Sequence, residues 1–169
     1  MTNQRSEAIE KLKGFLEGID FAMLTTINDG KLHSRPMSTQ ELDENGQLWF
    51  FTSGDSRKIG EIEADNRINV AYSDPDGNTY VSVFGTAEVV KDRAKIEELW
   101  SPIYKAWFPE GLDDPKICLL KIQVEDAEYW DAPNSKIVQL VGFAKALITG
   151  KEADMGDHGT VKVNPAGAK

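Results

Sequence analysis

Three short turn signals separate runs of strand-forming residues, and they constrain the fold of this chain more than any other feature. Residues 28–30 read Asn-Asp-Gly, residues 43–46 read Asp-Glu-Asn-Gly, and residues 75–77 read Pro-Asp-Gly. Turns of this length join antiparallel neighbours, whereas parallel strands need a crossover of a dozen or more residues. The early part of the chain therefore predicts antiparallel hairpins and argues against a doubly wound parallel sheet.

The runs between these turns predict about six strands and four helices, hence an α+β fold with a small antiparallel barrel and flanking helices. Pro36 lacks a ladder donor and predicts a sheet edge or a bulge, while Gly85 predicts a bulge or bend. Pro102 should break or kink the third helix. The predicted strands are residues 21–27, 31–42, 48–53, 67–74, 79–92 and 117–133, and the predicted helices are residues 6–19, 56–65, 92–100 and 134–151.

A length of 169 residues accommodates one domain. We expect that domain to span residues 1–151. Residues 152–169 are mostly small or polar, so we interpret them as a C-terminal tail whose order the sequence does not predict. His158 lies in this tail and is expected to be solvated.

The formal net charge of −9 argues against non-specific binding to nucleic acid or to an anionic membrane. A single cysteine, Cys118, excludes an intrachain disulfide, and we predict no metal site. The first residues lack the apolar core of a signal peptide, and no apolar run reaches membrane-spanning length. The expected class is therefore a cytoplasmic protein without nucleic-acid or membrane partners.

Against this acidic background, hydroxyls and two adjacent cations meet where the third predicted strand gives way to a helix. Thr52 and Ser53 end the strand, and Arg57 and Lys58 fall in the first helical turn. Cations at a helix N-terminus oppose the helix dipole, but an anion bound between them would reverse that effect. The junction therefore predicts an anion site.

A simpler interpretation remains open at this stage. Arg57 and Lys58 could form a solvated pair that bonds to Glu61 and Glu63, since isolated basic dipeptides are common. The neighbouring strand adds Arg35 and Pro36 to the same end of the predicted sheet. These two could equally be a surface charge and a device against edge aggregation.

Four short motifs in order resemble the pyridoxamine 5′-phosphate oxidase-like proteins, a flavin-binding split-barrel superfamily, and in particular their general stress protein branch. The motifs are Arg-Pro-Met at residues 35–37, Phe-Phe-Thr-Ser at 50–53, Ser-Arg-Lys at 56–58 and Ala-Glu-Tyr-Trp-Asp at 127–131. The resemblance extends from about residue 15 to residue 151. It implies a split β-barrel that binds FMN, with FAD also possible.

The resemblance further implies a homodimer with two flavin sites at the subunit interface. Arg57 and Lys58 would clamp the flavin phosphate, and Trp130 would come from the second subunit. Trp107 and Phe108 are further candidates for the border of the ring, although they belong to no motif. The full set of implied cofactor-binding residues is Arg35, Pro36, Met37, Phe51, Thr52, Ser53, Arg57, Lys58 and Trp130.

The family resemblance implies flavin-dependent hydride or electron transfer on a small molecule, with no catalytic residue or redox partner assigned. The true oxidases carry Arg, His and Asp after this tryptophan to hold pyridoxal phosphate, whereas residues 131–143 contain no His and only Lys136 as a cation. We therefore do not expect oxidation of pyridoxamine phosphate. The alternatives are a non-catalytic protein that binds or sequesters flavin, and a scaffold that recruits partners through the Trp107 loop.

Overall fold

The computed structural model describes residues 2–132 and 156–163. Within this part of the chain, three α-helices and two 3₁₀-helices accompany seven strands. The helices are α1 (Thr2–Leu16), α2 (Arg57–Ala64) and α3 (Arg93–Leu99), and the 3₁₀-helices are Pro102–Ala106 and Gly111–Asp113. The strands are β1 (Phe21–Asn28), β2 (Lys31–Leu42), β3 (Gln47–Ser53), β4 (Arg67–Asp74), β5 (Thr79–Val90), β6 (Ile117–Asp131) and β7 (Asp157–Lys162).

Six of the strands close into an antiparallel barrel, which confirms the predicted fold class. The sheet order is β3-β2-β1-β4-β5-β6, and β3 also pairs with β6 to complete the ring. Every one of these pairings is antiparallel. Closure removes the free edges that an open sheet would present along most of its length.

The inside of the barrel is filled by the alternate, inward-facing side chains of its strands. Phe50, Val83 and Ile122 are among the residues with no exposed surface. Gly85 lies at a register shift between β5 and β6, as predicted, and a Cβ there would stand 2.3 Å from the carbonyl oxygen of Gln123. A glycine is therefore required where these two strands approach each other most closely.

Pro36 lies in the part of β2 that forms a sheet edge. Residues 31–38 of β2 pair with β1, whereas the pairing of β2 with β3 begins only at Thr39. In the described residues no strand pairs with the other side of β2 at Pro36, so the missing N–H does not interrupt a second ladder. The edge interpretation of Pro36 is confirmed.

Part of the segment interpreted as a tail joins the sheet. Strand β7 pairs antiparallel with the last six residues of β6, and Val161 and Val163 are buried in the barrel core. His158 is exposed, as expected, and its ring stacks on that of Trp130 with ring centroids 5.1 Å apart. The domain boundary at residue 151 stays a prediction, and the helix predicted over residues 134–151 lies outside the described residues.

A second apolar cluster forms outside the barrel, where α3 and the 3₁₀-helices cover β3 and β6. Trp49, Ile96 and Phe108 are buried in it. Pro102 begins the first 3₁₀-helix three residues after α3 ends, which confirms the predicted break. None of the helices in the described residues combines the length and apolar character needed to cross a membrane.

Candidate functional site

The strand-to-helix junction predicted to bind an anion lies where β3 leaves the barrel and α2 begins. Gly54 donates a backbone hydrogen bond to the carbonyl oxygen of Lys116 over 2.7 Å, which fixes the turn against the start of β6. Ser56 precedes α2 with extended backbone angles, but its side chain makes no capping hydrogen bond. The hydroxyl of Ser56 instead accepts a hydrogen bond from Lys58. The Ser56 hydroxyl is therefore bonded to the Lys58 side chain rather than to the backbone N–H groups at the start of α2.

Lys58 is a half-buried cation whose partners are hydroxyl groups. Its Nζ donates to Thr52 Oγ1 over 2.9 Å and to Ser56 Oγ over 2.8 Å. Among the described residues no carboxylate forms an ion pair with it. Burial lowers the pKa of Lys58, and the positive charge of Arg35 lowers it further. An ammonium group in these surroundings is stabilised by any anion that can reach it.

Arg57 lies in the opposite situation, since it is paired with a carboxylate. Its Nε donates to Glu61 Oε1 over 2.8 Å, and its Nη2 lies 2.8 Å from His33 Nδ1. The Arg57 side chain is 68% exposed. The pairing of Arg57 with Glu61 is the one that the simpler sequence interpretation named, whereas Glu63 makes no ion pair within residues 2–132 and 156–163.

Arg35 approaches the same carboxylate from the sheet. Its Nη2 donates to Glu61 Oε2 over 2.8 Å and its Nη1 donates to Thr26 Oγ1 over 2.7 Å. Thr26 in turn donates to Glu61 Oε2 over 2.5 Å. Burial raises the pKa of Glu61, but the hydrogen bonds from Thr26 and Arg57 and the charge of Arg35 outweigh it and leave that pKa below its ordinary value. Glu61 is therefore ionised at neutral pH.

We call Arg35, Arg57, Lys58 and Glu61 the charge cluster. It contains three cations and one carboxylate, in a chain whose formal net charge is −9. A local excess of positive charge beside hydroxyl donors has the chemistry of an oxyanion site. Since phosphate accepts hydrogen bonds on several oxygens, it fits this donor set better than a single carboxylate does.

The other predicted site residues on β2 and β3 have different surroundings. The Ser53 hydroxyl donates a hydrogen bond to Asp55 over 2.6 Å. The ring centroids of Phe51 and Tyr104 lie 4.8 Å apart. Met37 is buried in the barrel core, whereas Pro36 is exposed. The Ser53 hydroxyl, which was predicted to donate to a ligand, therefore already donates to a carboxylate. The predicted contacts of this group with a ligand stay predictions.

Trp130 lies far from the charge cluster within one chain. Cys118 pairs with Thr52 at one end of β6, and Trp130 lies twelve positions further along the same strand. At roughly 3.3 Å per residue, this separation approaches roughly 40 Å along the strand. The ring contact of Trp130 is with His158, and among the described residues no side-chain hydrogen bond, ion pair or ring contact joins Trp130 to the other predicted site residues.

Two members of this site were missed as site residues by sequence reasoning, namely Thr26 and His33, and Glu61 was considered only as a surface partner. The four-residue spacing of Arg57 and Glu61 is a helical signal for an ion pair. The hairpin between β1 and β2 places Thr26 directly opposite His33. The strand register set by the turn at residues 28–30 could have predicted that Thr26 and His33 lie opposite each other.

Comparisons with known proteins agree with this fold. The profile of the family described as Pyridoxamine 5′-phosphate oxidase like matches residues 7–154. General stress protein 26 of Bacillus subtilis is 28% identical over 134 residues, which cover 78% of this chain and 94% of that protein.

Two solved structures extend the similarity. A general stress protein 26 from Jannaschia sp. CCS1 is 30% identical, with a TM-score of 0.73 over 92% of this chain and 98% of that one. The general stress FMN/FAD binding protein of Xanthomonas citri is 31% identical, with a TM-score of 0.66 over 76% of this chain and 92% of that one. Because the family profile covers most of the sequence and the barrel matches throughout, this chain belongs to the pyridoxamine 5′-phosphate oxidase-like family and is similar to its general stress proteins.

Proposed function

We propose that this protein is a flavin-binding general stress protein whose charge cluster binds the phosphate of FMN, and that it acts as a small-molecule oxidoreductase. Membership in the family and the similarity to the FMN/FAD binding protein of Xanthomonas citri support flavin as the ligand. The preference for FMN over FAD is our own extension.

The observation that carries the proposal is the environment of Lys58. A buried charge is normally paired, because leaving an ion without a partner in a poorly solvated place is unfavourable. The ammonium group of Lys58 has two hydroxyl partners and lies near Arg35, which repels it. A phosphate oxygen beside Lys58 would supply the missing negative charge. Thr52 and Ser56 could then turn their hydroxyl hydrogens toward the same group.

The bound flavin would supply hydride or electron transfer, and the protein would hold and orient it. The residues that we expect to hold the phosphate are Lys58, Arg57 and Arg35, with Thr52 and Ser56 as hydroxyl donors. Charge-assisted hydrogen bonds from Lys58 and the arginines are about twice as strong as neutral ones. They would fix one end of the ligand against the barrel.

Titration of the purified protein with FMN, FAD and riboflavin tests this proposal. A phosphate-binding cluster predicts that FMN binds at least about tenfold more tightly than riboflavin, since one charge-assisted hydrogen bond contributes about 1.5–3 kcal/mol. The relative affinities for FMN and FAD show which of the two nucleotides the site prefers. Equal affinities for FMN and riboflavin, or no binding of any of the three, would refute the phosphate site.

A second candidate function is flavin binding without turnover. It is favoured by the segment after Trp130, which lacks the His and Arg that the true oxidases use to hold a phosphorylated substrate. Steady-state assays of NADH and NADPH oxidation by the FMN-loaded protein separate the two candidates. Tight binding with turnover supports the oxidoreductase, and tight binding without turnover supports sequestration.

We further propose that the protein is a homodimer in which the outer face of the barrel is covered by a second copy. Phe21, Met23, Tyr80, Phe84 and Trp130 are exposed on that face, and Tyr80 lies directly opposite Trp130. Several large exposed apolar side chains on one side of a barrel favour an interface. A second copy could also bring its own Trp130 to a charge cluster that this tryptophan does not reach within one chain.

Sedimentation analysis tests the dimer. We expect twice the mass of the 18.8 kDa chain, and we expect Met23→Lys to produce monomers because it places a charge within the apolar face. Gln4→Lys adds the same charge on the exposed surface of α1 and should stay dimeric. A monomeric wild-type protein, or a dimeric Met23→Lys variant, would refute this interface.

A further inference from the structure

Glu61 presents a problem that the proposed phosphate site does not solve by itself. It is a carboxylate, its side chain is 3% exposed, and it lies among the cations that we assign to an anionic ligand. Its charge repels phosphate, so a role in direct binding is excluded. Its contacts point to a different role.

We infer that Glu61 is a positioning residue that holds Arg57 and Arg35 in the orientation in which they receive the flavin phosphate. This inference rests on the proposed function. Glu61 would then contribute to ligand selectivity without contacting the ligand itself. Glu61 accepts hydrogen bonds from Nε of Arg57 and from Nη2 of Arg35.

Arg57 is held by its inner nitrogen and leaves its outer end available. A guanidinium group has five N–H donors. The Nε–H of Arg57 is used by Glu61, and one Nη2 donor faces the Nδ1 of His33. The remaining three N–H groups have no hydrogen-bond partner among the described residues. They lie at the terminal fork, which is the part of arginine that binds phosphate in a two-point manner.

The carboxylate itself is held firmly enough to act as a support. Glu61 Oε2 accepts hydrogen bonds from Thr26 and Arg35, which belong to β1 and β2, while Glu61 belongs to α2. The three elements are thus tied at one point inside the structure. Since Glu61 is buried, its side chain has little freedom to follow Arg57 into solvent.

Loss of Glu61 would change the affinity for FMN in opposite directions through the orientation of Arg57 and through charge. Removal of the negative charge would strengthen the attraction of phosphate, but that charge is already compensated by direct hydrogen bonds from Arg35 and Arg57. Release of Arg57 would oblige the ligand to order a long side chain on binding, which lowers affinity. We therefore expect orientation to dominate, and FMN binding to weaken.

A double-mutant cycle tests this inference, with the ratio of the riboflavin and FMN dissociation constants as the readout. Glu61→Gln should lower that ratio about fivefold in the wild-type background, the size expected for ordering one long side chain on binding. Its effect should be smaller in an Arg57→Gln background, because only Arg35 is left there for Glu61 to hold. It should retain most of its effect in a Lys58→Met background, since Lys58 interacts with Glu61 through space but makes no hydrogen bond to it.

Glu61→Asp provides a second variant, which keeps the charge but is too short to hold both arginines. We expect it to lower the ratio as Glu61→Gln does. Riboflavin affinity and thermal unfolding of each variant report whether the site is still formed. An unchanged or increased ratio in both Glu61 variants, or an equal loss in all three backgrounds, would overturn the positioning role. A wild-type ratio near one would overturn the phosphate site and this inference together, whereas a high wild-type ratio that Glu61 does not affect would overturn this inference alone.

Discussion

Arg57 and Lys58 are neighbours in the chain, yet they lie in two regions where positive charge is compensated differently. On the Arg57 side, a buried carboxylate binds two arginines and a threonine. On the Lys58 side, an ammonium group is half buried and has hydroxyl partners. Successive residues of a helix point in different directions, so adjacent cations need not share a partner. We infer from this difference that the first region stabilises the ligand-free protein, and we propose that the second region binds an anion.

The largest expected effect comes from breaking the Arg57 side. Glu61→Ala removes the acceptor shared by Arg35, Arg57 and Thr26, and loss of one partner of a buried ion pair lowers the free energy of unfolding by about 3 kcal/mol. Urea denaturation measures this change. Glu63→Ala is a matched control on the exposed side of α2 and should change stability by less than about 0.5 kcal/mol. Equal small losses in both variants would contradict the account.

The pH dependence of the free energy of unfolding provides a second test of the Arg57 side. The pKa of Glu61 in the folded protein lies below its ordinary value of 4.5, so its ionised form stabilises the fold above that value. This contribution is lost as the pH falls through the lowered pKa. The free energies of unfolding of wild type and Glu61→Gln should differ by about 2 kcal/mol at pH 7, the scale of one hydrogen bond to a charged group.

Denaturation curves collected between neutral pH and acid check this prediction. The difference between the two proteins should shrink once the pH falls below 4.5. A difference that stays constant over the whole range would mean that the charge of Glu61 is not what stabilises the fold.

The smallest effect is expected on the Lys58 side, in the ligand-free protein. Lys58→Met removes a charge that burial and Arg35 disfavour, so stability should not fall and should rise by up to about 1 kcal/mol. Arg57→Met should instead lower stability by about 1 kcal/mol, because Glu61 loses a hydrogen-bond partner. Thermal unfolding of the two variants gives the comparison. If Lys58→Met is the more destabilised of the two, the contrast between the regions is wrong.

Local signals were sufficient to predict much of the barrel from the sequence. The turn at residues 28–30 sets the β1–β2 hairpin, and Gly85 and Pro36 marked the bulge and the edge where the structure has them. Closure of the ring through β3 and β6 joins segments some seventy residues apart, and no local pattern specifies such a pairing. Strand β7 was missed for a related reason, because a short, polar segment acquires its order from the strand it joins.

The site was predictable in its residue types and in the pairing of Arg57 with Glu61, but not in its other contacts. Adjacent basic residues at a helix start indicated an anion site, and Arg35 was expected at the same end of the sheet. The separation of Arg57 from Lys58 depends on side-chain directions and on Thr26 and Glu61, which are set by the packing of α2 on β1. Sequence spacing alone does not determine that packing.

The central claim is that the half-buried ammonium group of Lys58 binds the phosphate of a flavin nucleotide. The most direct test is calorimetric titration of Lys58→Met with FMN and with riboflavin, beside the wild-type protein. The account predicts that FMN binding weakens at least about tenfold, since a charge-assisted hydrogen bond contributes about 1.5–3 kcal/mol, while riboflavin binding changes by less than about threefold. Equal changes for the two ligands would contradict it.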